Sequence, residues 1–251
     1  MFKSLPVVTE LMEAVLFDLG HTLIDYYCDW RDPEQRGVER IYRMVSEMSP
    51  APVDRNEFTA DLTERLVRAR ERKKEDMVEV PLTELLGGCL ERYRCLDEVT
   101  LHEGLEIFYG VLLEERELVP GAVELLESLK ERGLTIGLIS DVAFGLPSEF
   151  PLRDIRHFGL DQYFDDMVFS TDVGLRKPHP KVFKIALSNL GVSASDAMYI
   201  GNSLYHDIKG AKGVGMKAVL KRSVFCVHED GVEPDHTVSQ LREIESLINA
   251  A

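Results

Sequence analysis

Short apolar segments that each end in polar residues recur along this sequence, and helical patterns separate them. The five segments lie at residues 14–17, 134–139, 167–169, 198–200 and 217–220. Runs of this kind are typical of strands buried on both faces of a parallel sheet. Helical patterns lie at residues 122–132, 180–190 and 207–213. This alternation predicts an α/β fold with a doubly wound, Rossmann-like parallel-sheet core and helices on both faces.

The stretch between the first two predicted strands differs from the rest, because its apolar residues repeat with helical spacing throughout. Helices are predicted at residues 33–48, 55–76, 82–94 and 101–117. This pattern indicates a helical cap domain at residues 27–118, inserted into an α/β core that residues 1–26 and 119–251 form. A basic run at residues 65–74 is flanked by acidic residues, so it is interpreted as a solvated helix face.

Polar side chains follow three of the predicted strands at the point where each strand ends. Asp18 follows the first strand, Ser140 and Asp141 follow the second, and Asn202 follows the fourth. The carboxyl ends of parallel strands meet at one edge of the sheet, where ligands of such folds bind. We therefore expect these side chains to lie close together. The segment at residues 141–156 is interpreted as a surface loop, or alternatively as the entrance to this site.

The charge of the chain limits its partners. The formal net charge of -15 would repel the phosphate backbone of nucleic acids and the anionic face of a membrane, so neither is expected. The four cysteines have no zinc-site spacing and are interpreted as reduced thiols: Cys28, Cys89, Cys95 and Cys226. Neither a signal peptide nor a membrane-spanning apolar run is visible, so a cytoplasmic protein is expected. The sequence leaves the oligomeric state open.

Four clusters of residues at strand ends resemble the motifs of the haloacid dehalogenase superfamily. The strongest are FDLGHTL at residues 17–23, the segment from YFD to DVGLRKP at residues 163–178, and the segment from GNS to DIKGA at residues 201–211. Each cluster alone is a weak signal, but four in this order are a specific one. The resemblance covers nearly the whole chain. It is to the phosphatase-like branch, in which a helical cap follows the first strand.

The resemblance implies an enzyme that hydrolyses a small phosphorylated molecule through a covalent intermediate on Asp18. A carboxylate can attack phosphorus directly, and water then hydrolyses the acyl phosphate. Ser140 and Lys177 match the hydroxyl and the lysine that hold the phosphate in this family, and fixed donors of this kind stabilise the charge of the transition state. Thr22 and Asp141 complete the expected substrate-binding set.

Two of these expected site residues also have a structural interpretation. Asp18 and Lys177 would also be compatible with a capping residue and a surface lysine. Arg176 is expected to point to solvent, because neighbouring residues of an extended segment face opposite ways.

By the same resemblance, the cofactor would be Mg²⁺. The implied ligands are Asp18, the backbone carbonyl of Gly20, Asn202 and Asp207, and Mg²⁺ prefers such oxygen ligands. Asp207 could alternatively cap the helix that follows it.

The sequence departs from the phosphatase pattern at two positions. Gly20 stands where a second aspartate normally acts as the general acid, and Asn202 stands where the last motif normally has an acidic residue. The first change removes the proton donor for the leaving group, and the second should weaken magnesium binding. His21 is the first candidate for a replacement acid, because histidine titrates near neutrality. Asp25 and residues of the cap are further candidates.

The two departures keep two other functions open. One is 2-haloacid dehalogenation, in which the nucleophile displaces halide from carbon and Arg31 would hold the substrate carboxylate. The other is a binding or regulatory protein that has kept the fold and lost efficient turnover. The substrate itself cannot be identified from the sequence, because specificity in this architecture depends on the cap.

Overall fold

The computed structural model describes residues 12–27, 29–224 and 231–249. Six strands form one parallel sheet in the order β5-β4-β1-β6-β7-β8. They are β1 (Ala14–Phe17), β4 (Thr135–Ser140), β5 (Asp166–Phe169), β6 (Ala197–Gly201), β7 (Lys217–Lys221) and β8 (His236–Val238). Two further strands, β2 (Ile24–Asp25) and β3 (Glu117–Leu118), form a separate antiparallel pair. The predicted α/β fold with a parallel sheet is confirmed.

The central strand β1 shows why the apolar segments are strands. Successive side chains of a strand point to opposite faces. Val15 and Phe17 pack into one large apolar cluster, whereas Ala14 and Leu16 pack into a second cluster on the other face. Since both faces are covered, every position of β1 must be apolar. The chain order reverses on either side of β1, and ligands bind at such switch points in open α/β sheets.

Helices cover both faces of the sheet. In this part of the chain they are α5 (Ala122–Glu131), α6 (Glu149–His157), α7 (Ser170–Val173), α8 (Pro180–Leu190), α9 (Lys209–Val214) and α10 (Ile244–Asn249). One turn of π-helix at Leu204–Ile208 precedes α9.

Four helices lie between β2 and β3. They are α1 (Arg31–Met48), α2 (Arg55–Asp76), α3 (Leu82–Arg92) and α4 (Glu98–Leu112). Asp54 and Asp97 begin α2 and α4 by accepting hydrogen bonds from backbone N–H groups of the first turn, at 2.9 and 2.8 Å. The apolar faces of these helices belong to the same cluster as Val15 and Phe17. The last two helices end earlier than predicted, at residue 92 rather than 94 and at residue 112 rather than 117.

The interpretation of residues 141–156 as a loop was wrong for its second half. Helix α6 begins at Glu149, and Pro151 lies in its first turn. The N–H groups of a first turn have no partner within the helix, so a proline there removes no hydrogen bond.

Two cysteines can be placed. Cys89 and Cys95 are buried free thiols, as expected, whereas Cys28 and Cys226 lie outside the described residues. Of the helices in the described ranges, none combines the length and the apolar character that crossing a bilayer requires.

Candidate active site

Asp18, Lys177 and Asp207 form a buried cluster at the carboxyl ends of β1 and β6. The Lys177 Nζ lies 2.6 Å from Asp18 Oδ1 and 2.7 Å from Asp207 Oδ1. The three residues are at most 7% exposed. Buried charges persist only when they are paired and hydrogen-bonded. The sequence expectation that these strand ends converge therefore agrees with the geometry.

The π-helical turn positions Asp207. Its Oδ2 accepts a hydrogen bond from the Ser203 backbone N–H at 2.9 Å, and its backbone N–H donates to the Ser203 carbonyl at 3.0 Å. A Cβ atom on Gly201 would lie 2.4 Å from Asp207 Cγ, so only glycine fits at the end of β6. Single π-helical turns are frequent at functional sites. These contacts hold the Asp207 carboxylate next to Lys177. This position agrees with the expected role in the site, whereas the alternative was that Asp207 caps the helix that follows it.

Tyr199 is a part of this cluster that sequence reasoning missed. It is fully buried on β6, and the Lys177 Nζ donates to its hydroxyl at 3.0 Å. The hydroxyl in turn donates to the Ile139 carbonyl at 3.2 Å. The only sequence signal is a tyrosine within an apolar strand next to a motif. The Lys177 Nζ also donates to the Ile139 carbonyl, at 3.1 Å, so Tyr199 and this carbonyl hold the ammonium group together with the two carboxylates.

Burial and the close charges act on the cluster in different ways at its two ends. It raises the pKa of Asp18 to about 6, although Lys177 opposes this rise and Asp207 adds to it. The pKa of Lys177 is raised well above its usual value, because the two carboxylates outweigh the effect of burial. At neutral pH, Asp18 is thus mainly ionised and Lys177 is charged. The Thr22 hydroxyl donates to Asp18 Oδ2 at 3.0 Å, so both carboxylate oxygens are held.

The other expected substrate ligands have different surroundings. Ser140 is buried at the end of β4 and lines the cavity described below. Asp141 also lines this cavity, and its Oδ1 accepts the Lys177 backbone N–H at 3.1 Å. Asp141 thereby fixes the segment that carries the lysine. Thr22 has no exposed surface and lies behind Asp18, which favours orientation of the nucleophile over contact with a substrate.

His21 lies in the tight turn after Asp18 with a positive φ of 59°. Its Nδ1 is 3.4 Å from Asp25 Oδ1. Burial lowers its pKa even though Asp25 favours the charged form. A lowered pKa reduces the protonated fraction at neutral pH, so the environment of His21 is unfavourable for a general acid.

Gly20 and Asn202, the two departures from the phosphatase pattern, both line the cavity described below. A Cβ atom on Gly20 would meet only Tyr26 Cδ2, at 4.0 Å, and Gly20 has no positive φ. Neither space nor backbone geometry therefore requires glycine at this position. The Asn202 amide nitrogen donates to Ser223 Oγ at 3.1 Å.

The oxygen atoms of this site suit Mg²⁺. The described residues contain no cluster of three or more histidine, cysteine, aspartate or glutamate side chains that could hold a metal ion. Mg²⁺ commonly binds through only one or two carboxylates and keeps several waters. Asp18 and Asp207 are two such carboxylates, and they approach a single ammonium group.

A second buried cluster surrounds Glu79, in the segment between α2 and α3. Glu79 Oε1 is 2.7 Å from Lys73 Nζ, and Oε2 is 2.5 Å from both Arg176 Nη1 and Ser170 Oγ. The Glu79 side chain is completely buried, and those of Lys73 and Arg176 are 13% and 18% exposed. The Arg176 backbone N–H also donates to the Met77 carbonyl at 2.8 Å. The expectation that Arg176 points to solvent was therefore wrong, and so was the solvated-face interpretation at Lys73.

A cavity of about 840 Å³ opens between the strand ends and the helical segment. One end contains Asp18, Ser140, Lys177 and Asp207. The remaining wall is mostly apolar and includes the aromatic residues Tyr26, Trp30, Tyr109, Phe144 and Phe150. Arg31 is not part of this wall. Its side chain is 85% exposed and is paired with Asp29, which opposes the dehalogenase interpretation.

Comparison with known proteins agrees with this geometry. The sequence pattern of the haloacid dehalogenase-like hydrolases matches residues 12–215 of the chain. The chain belongs to this family. Solved members share its fold: a 2-haloacid dehalogenase from Pseudomonas syringae superposes with a TM-score of 0.72 at 23% identity, covering 96% of this chain and 99% of that one. A haloacid dehalogenase-type phosphatase from Thermococcus onnurineus gives a TM-score of 0.64 at 23% identity, covering 94% of this chain and 98% of that one.

Curated relatives in the family are named as phosphatases. A glyceraldehyde 3-phosphate phosphatase from Pyrococcus abyssi is 43% identical over 101 residues, which are 40% of this chain and 41% of the relative. A glyceraldehyde 3-phosphate phosphatase from Methanocaldococcus jannaschii is 30% identical over 166 residues, 66% of this chain and 70% of the relative. The match thus spans only about two fifths of the first relative's length.

Proposed function

We propose that this protein is a magnesium-dependent phosphatase that hydrolyses a phosphate monoester through an aspartyl-phosphate intermediate on Asp18. The observation that carries the proposal is the buried contact of Lys177 with both Asp18 and Asp207, at 2.6 and 2.7 Å. The names of the curated relatives favour phosphate esters over haloacids. The exposed position of Arg31 points the same way.

In the first step, an Asp18 oxygen attacks phosphorus and the bond between phosphorus and the ester oxygen breaks. The leaving alkoxide or phenoxide takes a proton from water, which leaves a hydroxide ion, and becomes the free alcohol or phenol. Lys177 stabilises the negative charge that spreads over the phosphoryl oxygens, and the Ser140 hydroxyl lies on the same wall to donate to them. In the second step, water attacks the acyl phosphate, which releases inorganic phosphate and restores the Asp18 carboxylate.

Asp18, Asp207 and the Gly20 carbonyl would hold Mg²⁺, with Asn202 as a neutral neighbour. When bound, the ion neutralises charge on the phosphoryl oxygens. The neutral Asn202 makes the site less negative than a set with a third carboxylate, so the affinity for Mg²⁺ is expected to be modest.

The helical segment at residues 27–118 acts as the cap in this proposal. Its contribution to the cavity includes Trp30, Leu66, Leu85 and Tyr109. Glu79 attaches it to the Arg176 segment next to Lys177. Enclosure of this kind excludes water and selects the substrate.

The test is turnover of phenyl phosphate with and without Mg²⁺ by the native protein and by Asp18→Asn. The variant should retain less than about one ten-thousandth of the native kcat, because an amide cannot act as the nucleophile. Asp161→Asn, an exposed position outside the cavity, is the matched control and should match the native rate. Intact-mass analysis of the native protein should detect phosphorylation that Asp18→Asn lacks. Native-like turnover in Asp18→Asn would refute the proposal.

A further inference from the structure

The size of the cavity exceeds what a three-carbon phosphate needs. Pockets that enclose drug-sized ligands have volumes of about 300 to 1,000 Å³. At about 840 Å³, this cavity lies in the upper part of that range. The phosphate-binding end occupies one part of it, so most of the volume faces the leaving group of the ester.

Aromatic side chains from both motif-bearing loops line this volume. Tyr26 and Trp30 follow Asp18 in the chain, and Phe144 follows Ser140. The rings of Trp30 and Phe144 meet edge to face at a centroid distance of 5.8 Å, and those of Trp30 and Tyr26 lie 6.4 Å apart. Such ring pairs hold each other in place and present their remaining surface to a ligand. The aromatic wall therefore begins within a few residues of the catalytic groups.

Two tyrosine hydroxyl groups of this wall are already engaged within the protein. The hydroxyl groups of Tyr26 and Tyr109 donate to the two carboxylate oxygens of Asp154, each at 2.8 Å. Arg116 pairs with the same carboxylate. A polar leaving group would have to compete with these contacts, whereas an apolar one would need none of them. The aromatic side chains of the wall therefore contact a substrate mainly through the apolar surface of their rings.

Three cationic residues of the cavity wall are engaged as well. Arg70 pairs with Glu34 at 3.1 Å, while Lys73 and Arg176 pair with Glu79. These pairs reduce the charge that the three side chains offer to a second anionic group on the substrate. Lys177 is the cation that contacts the proposed nucleophile, so the phosphate-binding end of the cavity lies there.

The backbone at Phe144 is held in an unfavourable conformation. Phe144 has a φ of 55°, which bulky residues rarely adopt. Gly145 follows with a φ of 76°, and a Cβ atom there would lie 2.4 Å from the Val80 carbonyl oxygen. Strain of this kind persists where the surroundings impose it, and it clusters at ligand-binding sites. The surrounding contacts keep the Phe144 ring in the cavity wall.

From these observations we infer that the natural substrate is a phosphate monoester whose leaving group has an aromatic or similarly bulky apolar body, bound against Tyr26, Trp30 and Phe144. This inference rests on the proposed phosphatase function and specifies its substrate class.

The test compares 3-phenylpropyl phosphate with propyl phosphate. Both release a primary alcohol, so leaving-group ability is matched and only the ring differs. We expect kcat/KM to be at least about tenfold higher for the phenylpropyl ester, since one apolar group in a fitted pocket commonly discriminates by roughly 10- to 200-fold. In Trp30→Leu and Phe144→Leu this ratio should fall towards one. Tyr163→Leu removes a ring outside the cavity and should keep the native ratio.

Trp30 is the single tryptophan of the chain, so its fluorescence reports on the cavity without turnover. In Asp18→Asn, 3-phenylpropyl phosphate should change this emission at concentrations at least about tenfold lower than propyl phosphate does. Equal kcat/KM values for two hydrolysed esters, or equal binding of both in the fluorescence titration, would overturn the inference and leave the phosphatase proposal standing. Absence of phenyl phosphate turnover and of phosphorylated Asp18 would instead remove the proposed function. If phenyl phosphate is hydrolysed and both alkyl esters are too slow to measure, the fluorescence titration decides the inference.

Discussion

Replacing Glu79 with glutamine removes one negative charge from a buried cluster and keeps the shape of the side chain. The Val80 N–H donates to Glu79 Oε1 and Ser170 Oγ donates to Oε2, so the single amide oxygen of glutamine can accept only one of these two hydrogen bonds. The charges of Lys73 and Arg176, whose side chains are 13% and 18% exposed, would lose their partner. The variant therefore measures what the ion pairs contribute to stability, together with one neutral hydrogen bond, which is worth about 0.5 to 1.5 kcal/mol.

The expected loss follows from what each cation can do afterwards. Removing one partner of a buried ion pair costs about 3 to 5 kcal/mol. Burial lowers the pKa of Lys73 despite the opposing effect of Glu79, so the loss of Glu79 would make its charged form still less favourable. Arg176 stays charged, with Asp141 still 3.7 Å away. The Arg176 pair therefore dominates, and we expect a loss of about 3 kcal/mol, the lower end of that range.

Urea unfolding followed by circular dichroism gives the free energy of unfolding of the native protein and the variant. The matched control is Glu64→Gln on α2, the helix that carries Lys73, where Glu64 pairs with Arg68 in an exposed i,i+4 arrangement. Exposed helix pairs contribute only about 0.3 to 0.5 kcal/mol. A loss in Glu79→Gln no larger than that of the control would refute the reasoning.

The same pair of proteins should differ in a pH-dependent way. Burial raises the pKa of Glu79, but Arg176 and Lys73 outweigh it and leave the pKa lowered. A carboxylate with a lowered folded-state pKa stabilises the protein above its unfolded-state pKa, and this contribution is lost as the pH falls through the folded-state value. The stability difference between native protein and Glu79→Gln should thus be full at neutral pH and shrink in acid. If the stability difference stays constant as the pH falls, the loss in Glu79→Gln comes from altered packing and not from the ion pairs.

Five further substitutions test the site itself. Lys177→Met should lower kcat about 100- to 1,000-fold by removing a donor to the phosphoryl group, and a fall below tenfold would contradict that role. Asn202→Asp adds a carboxylate beside the proposed metal ligands and should tighten Mg²⁺ binding, whereas Asp207→Ala should weaken it. Calorimetry measures both affinities, and values equal to that of the native protein would place both residues outside the metal site. Gly20→Asp should accelerate alkyl phosphate hydrolysis by up to about 100- to 10,000-fold, because it restores a general acid at a position with room for a side chain. Fast native turnover of the alkyl ester that is lost in His21→Ala would show that His21 already supplies the proton.

The parts of the molecule that follow from local pattern were predictable. The five longer strands of the parallel sheet were predicted to within two residues, because burial on both faces demands unbroken apolar runs such as residues 14–17. The convergence of Asp18 and Lys177 followed from the geometry of parallel strands together with the family motifs. Helices with clear apolar spacing, such as α2 at Arg55–Asp76, agree with the sequence at both ends.

The parts that depend on contacts between distant residues were not predictable. Arg176 and Lys73 carry no local sign of burial, and only Glu79 explains their positions. The rule that neighbouring side chains point in opposite directions predicted that Arg176 faces solvent. Arg176 is instead buried because it pairs with Glu79 of the helical segment, while Lys177 pairs with Asp18 at the strand ends. The aromatic wall brings together Trp30 and Phe144, which are more than one hundred residues apart in the chain.

The small antiparallel pair of β2 and β3 has a consequence for how this enzyme could be altered. Ile24 faces Leu118 and Asp25 faces Glu117, so the chain leaves and re-enters the parallel-sheet half at adjacent positions. Opposed residues of an antiparallel pair lie only about 4.5 to 5.5 Å apart, a gap that a two-residue turn closes. A different helical segment could be grafted between Asp25 and Glu117 without changing the pairing of the parallel strands, among them β1, which ends just before Asp18. Such a graft would exchange the part of the cavity wall that carries Trp30 and would keep the part that carries Phe144.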